Sequence, residues 1–109
     1  MVLQFNIQEM GQYFTPYVVA EKMAKMFCHF PEEMHLLDAG AGTGILSAAF
    51  IETAISATKP PASIRITAYE LDELLIPSLV ETLQACKYFS EQCGIDFEYQ
   101  VKQEDFIAD

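Results

Sequence analysis

The residues with the clearest chemical potential lie between Leu36 and Gly44, where the chain reads Leu-Leu-Asp-Ala-Gly-Ala-Gly-Thr-Gly. Gly40, Gly42 and Gly44 stand on alternate positions, and Asp38 and Ala39 lead into them. A backbone without Cβ atoms can turn with positive φ and lie directly against a ligand. Two further acids follow strand-like segments. Glu70, with Leu71 after it, comes at the end of Ile64–Tyr69, where a carboxylate can accept two hydrogen bonds from the vicinal hydroxyls of a ribose. Asp105 and Phe106 come just after Phe97–Val101, where a carboxylate can accept from an adenine amino group and a ring can pack on the base. Any one of these acids alone is ordinary surface chemistry. Their recurrence at successive strand ends points to a ligand.

Spacing narrows the ligand. The dinucleotide fingerprint G-x-G-x-x-G starting at Gly40 requires glycine at position 45, which is Ile45. A phosphate-binding P-loop requires lysine after its last glycine, and none follows Gly44. Glu70 alone identifies a ribose and does not say which cofactor carries it.

The elements that must hold these residues are legible from hydrophobic spacing. Thr15 followed by Pro16 is a good helix start, and Val19, Met23, Met26, Phe27 and Phe30 recur at helical spacing until Pro31. Met34–Ala39 reads as a buried strand. Ile45 to about Thr58 reads as a helix closed by Lys59-Pro60-Pro61. Ile64–Tyr69 makes a second strand. A long helix capped by Asp72 then runs towards Gly94, with Leu74, Leu75, Leu79, Leu83 and Cys86 as its apolar stripe, and Pro77 bends it or delays its start. Phe97–Val101 is the third strand. Strands alternating with helices predict a parallel sheet, here a partial Rossmann-like α/β fold: a helix and then β-α-β-α-β in three α/β/α layers. Ligands of such sheets sit beyond the carboxyl ends of the strands, where the glycine loop lies.

The chain has 109 residues, enough for one domain, within which residues 1–31 carry the first helix. Half its residues are hydrophobic (51%) and 20% are charged, which suits a folded core rather than disorder. A formal charge of −10 with six basic residues argues against a broad nucleic-acid footprint on this segment. Cys28, Cys86 and Cys93 show none of the spacings of zinc sites, so reduced, buried thiols are expected, with Cys86 and Cys93 on one helical face, and His29 and His35 as packing residues. No metal is implied. The sequence shows neither an export signal nor a long apolar run, and the expected location is cytoplasmic.

Taken together, the motifs resemble S-adenosylmethionine-dependent N6-adenine DNA methyltransferases, in the gamma-type arrangement of restriction-modification systems. The resemblance covers almost the whole chain. Gly11-Gln12-Tyr13-Phe14-Thr15-Pro16 resembles the family's N-terminal motif, Leu36–Gly44 its glycine motif, Ala68–Leu71 its ribose motif and Glu104–Phe106 its adenine motif. The resemblance implies that Tyr13, Phe14, Thr15 and Pro16 help hold the methionine carboxylate of the cofactor, for which a helix N-terminus with free N–H groups is suited. It further implies that Asp38, Ala39, Gly40, Gly42 and Gly44 receive the methionine part, Glu70 and Leu71 the ribose, and Asp105 and Phe106 the adenine.

The family transfers the methyl group to a flipped-out base through an Asn/Asp-Pro-Pro-aromatic motif after a fourth strand. The only Pro-Pro here is Lys59-Pro60-Pro61-Ala62, with the wrong flanking residues and ahead of the second strand, so it reads as a helix stop. The resemblance therefore implies a cofactor-binding part without catalytic residues, with DNA gripped by regions outside this sequence. An edge left by a cut sheet predicts self-association or a partner chain. Two other functions fit the same motifs. One is a stand-alone binding module that completes a separate catalytic subunit; the other is a methyltransferase acting on RNA, protein or a small molecule.

Overall fold

The computed structural model describes residues 2–5 and 32–104. The expected helix over 16–30 lies outside them, as do Cys28, His29, Tyr13, Phe14, Thr15, Pro16, Asp105 and Phe106. The described elements are β1 (Val2–Phe5), β2 (Glu33–Asp38), α1 (Ile45–Ile55), β3 (Ser63–Tyr69), α2 (Ile76–Gln92) and β4 (Asp96–Lys102). The four strands form one sheet in the order β1-β2-β3-β4, and every neighbouring pair is parallel.

The α/β reading and the three expected strands hold, each to within a residue of its ends. β1 is an addition. It pairs with β2 in the register Val2↔His35 to Phe5↔Asp38, and its four residues are too few for an alternation to register in the sequence. Among the described strands, β1 and β4 are the outermost.

Alternation explains which face of the sheet the helices cover. Met34 and Leu36 of β2, Ile64, Ile66 and Ala68 of β3 and Phe97 of β4 are buried with Phe50, Ile51 and Ala54 of α1 and Leu79, Leu83 and Cys86 of α2. At a period of two these strand residues share one face, and the two helices lie on it. The opposite face is more polar. There the His35 ring and the Thr67 hydroxyl lie 3.1 Å apart, and Arg65 approaches Glu98 at 3.8 Å in an exposed pair of little energetic weight.

Both helices are shorter than the sequence suggests. α1 closes at Ile55, where the Ser56 N–H donates to Glu52 O and the Ala57 N–H to Ala54 O; proline at 60 disfavours helical geometry before it. α2 begins at Ile76 and not at Asp72, with Pro77 in its first turn. Asp72 does cap, but caps a preceding turn: its Oδ1 accepts from the Leu74 N–H at 2.9 Å and its carbonyl from the Leu75 N–H at 3.0 Å. Because α2 starts only at Ile76, Leu74, expected in its apolar stripe, lies ahead of the helix and is 81% exposed. Cys93, expected buried beside Cys86, is exposed at the C-cap of α2, while Cys86 is buried; both thiols are free.

Among the described residues no helix is long and apolar enough to cross a membrane. Nor does any group of three or more His, Cys, Asp or Glu side chains there form a metal site.

Candidate functional site

The turn from β2 into α1 carries the glycines. Gly40 has φ 156°, Gly42 58° and Gly44 83°, conformations that a Cβ makes costly. The turn is folded over the end of the neighbouring strand by two consecutive amides. The Ala41 N–H donates to Tyr69 O at 3.0 Å, and the Gly42 N–H donates to Glu70 Oε1 at 2.7 Å. The Gly44 N–H closes the turn on Ala41 O at 2.9 Å, and Gly44 O then accepts from Ala48 in the first turn of α1.

Glu70 is held at three points. Its own N–H donates to Lys102 O in β4 at 3.0 Å, its Oε1 takes the Gly42 N–H, and its Oε2 takes the Asp72 N–H at 2.9 Å. The distance to Gly42 is in the range of charge-assisted hydrogen bonds. Leu71 beside it is 60% exposed.

Asp38, the last residue of β2, lies under the loop and is 1% exposed. Its Oδ2 accepts from the Ser47 hydroxyl at 2.6 Å, while its Oδ1 has no hydrogen-bond partner. Burial pushes the carboxyl from the ordinary 3.8 up to about 6. The Ser47 hydrogen bond opposes that rise, the negative charge of Glu70 adds to it, and the Gly40 N–H pulls it down again. A buried acid with one unsatisfied oxygen is costly on its own and marks a place where a polar or cationic group would be welcome.

Ser47 escaped the sequence reading. Its signal was faint but present: one hydroxyl in the apolar run Ile-Leu-Ser-Ala-Ala-Phe that opens α1. Gly44 also proves to have a structural reason of its own. A Cβ there would meet Leu79 Cδ1 at 3.0 Å and Thr82 Cγ2 at 3.1 Å, so its bareness lets α1 start tight against α2. The structure thus brings Asp38, Ala39, Gly40, Gly42, Gly44 and Glu70 to one end of the sheet, the carboxyl end of β2 and β3.

The geometry favours a cation over an anion. In a dinucleotide fold the loop amides and the helix start face a pyrophosphate; here the Gly42 amide is turned to a carboxylate, with a second carboxylate buried beneath. An anionic phosphate placed there would meet two like charges.

Two Type II methyltransferases are similar to the chain. The chain is 34% identical over 100 residues to the Type II methyltransferase M.PstI of Providencia stuartii, an overlap of 91% of this chain and 19% of that protein. It is 38% identical over 106 residues to the Type II methyltransferase M.BsuBI of Bacillus subtilis, an overlap of 94% and 19%. The chain matches a segment of Type II methyltransferases. It spans about a fifth of the length of these curated relatives. No family model matches the sequence, and no solved structure does.

Proposed function

We propose that this chain is the S-adenosylmethionine-binding segment of a Type II DNA methyltransferase that modifies adenine at N6. The observation that carries the reading is the acidic glycine turn: Gly42 donating to Glu70 above a buried, half-satisfied Asp38. S-adenosylmethionine brings a sulfonium and an ammonium group, both cationic, and a ribose. The carboxylates of Asp38 and Glu70 suit the first two by charge, and Glu70 suits the ribose hydroxyls by geometry.

In this reading Gly40, Gly42 and Gly44 let the methionine part approach the main chain, and Ala39 keeps the entrance to the turn small. Glu70 accepts from the ribose hydroxyls with Leu71 beside it. Tyr13, Phe14, Thr15 and Pro16 take the methionine carboxylate, and Asp105 and Phe106 take the adenine. When bound, the cofactor supplies an electrophilic methyl group on sulfur. This chain's residues orient it and contribute no acid, base or nucleophile to the transfer, so catalysis and DNA binding fall to the rest of a longer protein. The exposed rings of Tyr88 and Phe89, at 62% and 65%, and the outer edge of β4 are the surfaces on which that remainder, or a partner chain, would pack.

Isothermal titration of the chain with S-adenosylmethionine, S-adenosylhomocysteine and NAD tests the reading. Saturable binding of the first two, abolished by Gly42→Val, is expected. Binding of NAD in their place would overturn it.

A further inference from the structure

We infer that Glu70 is a positioning residue of the glycine turn as well as an acceptor for ribose, so that one carboxylate couples recognition of the sugar to the shape of the loop that holds the rest of the ligand. The coupling is visible in the hydrogen bonds. The Gly42 amide, in a residue with φ 58°, donates to Glu70 Oε1 at 2.7 Å. The Asp72 amide fixes Oε2 at 2.9 Å, and the Glu70 backbone is tied to β4 through Lys102 O. The carboxylate is therefore a strut with one end in the sheet and the other in the loop.

The strut does not exclude a ligand. An ionised carboxylate offers about four lone-pair sites on its two oxygens. Two are taken by Gly42 and Asp72, which leaves one on each oxygen for a pair of vicinal hydroxyls. The two backbone amides thus set the rotation of the carboxylate before any ligand arrives. Removing the side chain takes away the ribose acceptor and, in the same stroke, the bond that keeps the Gly42 amide turned inward. The neighbouring Ala41–Tyr69 bond, which is backbone to backbone, would remain.

The ligand half of this inference rests on the cofactor reading above; the loop half does not. The experiment has an arm for each. In the ligand-free chain, amide hydrogen exchange followed by NMR should show Gly42 exchanging about tenfold faster in Glu70→Ala, the size expected for losing a hydrogen bond to a charged acceptor. The Ile66 amide, in the centre of β3, should keep its protection and report that the fold is intact. Glu70→Gln, which keeps one oxygen for the Gly42 N–H, should restore part of the protection. Unchanged Gly42 exchange in Glu70→Ala would overturn the proposal.

In the second arm, S-adenosylhomocysteine and its 2′,3′-dideoxy analogue are titrated into wild type and Glu70→Ala. A residue that acts only through the hydroxyls would leave the affinity for the dideoxy analogue unchanged on mutation, and that result would overturn the coupling. A positioning residue should lose about tenfold with the analogue too. If neither ligand binds wild type, the cofactor reading fails, and the exchange arm alone decides the role of Glu70 in the loop.

Discussion

Among the described residues the chain turns at glycine in two places, and the two turns are built differently. After α2, Gly94 sits at φ 77° just past the C-cap. The Gly94 N–H donates to Glu91 O at 3.1 Å and the Ile95 N–H to Ser90 O at 2.9 Å, the paired bonds of a Schellman motif, with Ile95 buried just beyond. Nothing lies within 4 Å of where its Cβ would be. The turn between β2 and α1 uses three glycines, draws in a carboxylate from the next strand and leaves the Asp38 Oδ1 without a partner. A turn that only reverses the chain satisfies itself with one glycine. The other carries extra glycines and an unmet polar atom, which chain reversal does not require.

The sharpest way to break that comparison is to add the same methyl group to both turns. At Gly94 alanine meets only the left-handed backbone, a cost of about 1 kcal/mol. At Gly44 it meets the backbone cost and a contact of 3.0 Å with Leu79, for a total of about 3 kcal/mol. Urea unfolding of Gly44→Ala and Gly94→Ala should show that gap. Equal losses would mean that α1 and α2 can separate to accept the Cβ.

Asp38 gives the next largest effect and has a defined sign. Its folded pKa is raised from 3.8 to about 6, so between those values the folded state binds more protons than the unfolded state, and stability falls as pH rises through that window. Above about 6 the loss is complete, on the order of 3 kcal/mol. Asp38→Asn removes the ionisation and should stabilise the chain by about 2 kcal/mol at pH 7, with the advantage fading towards pH 4. Comparing variant with wild type at each pH cancels the general relief of repulsion in a chain of charge −10. The same substitution should weaken binding of a cationic ligand, the opposite of its effect on the fold. An Asn variant no more stable than wild type at pH 7 would show that Ser47 and the loop amides already compensate the buried charge.

How much of this was legible in the sequence follows from the range of each signal. The strands β2, β3 and β4 were legible because apolar, β-branched and aromatic residues mark out Met34–Ala39, Ile64–Tyr69 and Phe97–Val101, each within a residue of the observed ends. Asp38, Gly42 and Glu70 were legible as a group because strand ends in a parallel sheet converge on one side. Gly44 was read as a ligand contact, and its packing against Leu79 and Thr82 depends on a helix more than thirty residues away, which spacing cannot reveal. Leu74 misled because its apolar character fits a helical stripe, while Asp72 traps the chain in a separate turn two residues earlier. The Ser47–Asp38 and Gly42–Glu70 bonds were invisible for one reason: each joins residues of different elements through a single hydrogen bond that residue spacing does not encode.

The smallest effect returns to the turn after α2. Ser90 is fully buried and its hydroxyl has no hydrogen-bond partner, so this otherwise self-sufficient turn also carries one unmet polar atom. The comparison distinguishes the two cases by charge. Asp38 is an ionisable acid beneath a glycine loop at the carboxyl ends of strands, whereas Ser90 is a neutral hydroxyl in the last turn of a helix whose backbone carbonyl already receives the N–H groups of Cys93 and Ile95. Ser90→Ala removes a buried unsatisfied group and installs the better helix former. The loss of one oxygen's volume is a minor opposing cost. A gain of about 1 kcal/mol in urea unfolding, with ligand titrations unchanged, is expected. If Ser90→Ala instead destabilises the chain by that amount or more, the hydroxyl has a partner in solution, and the last turn of α2 is as polar a junction as the glycine loop it is contrasted with.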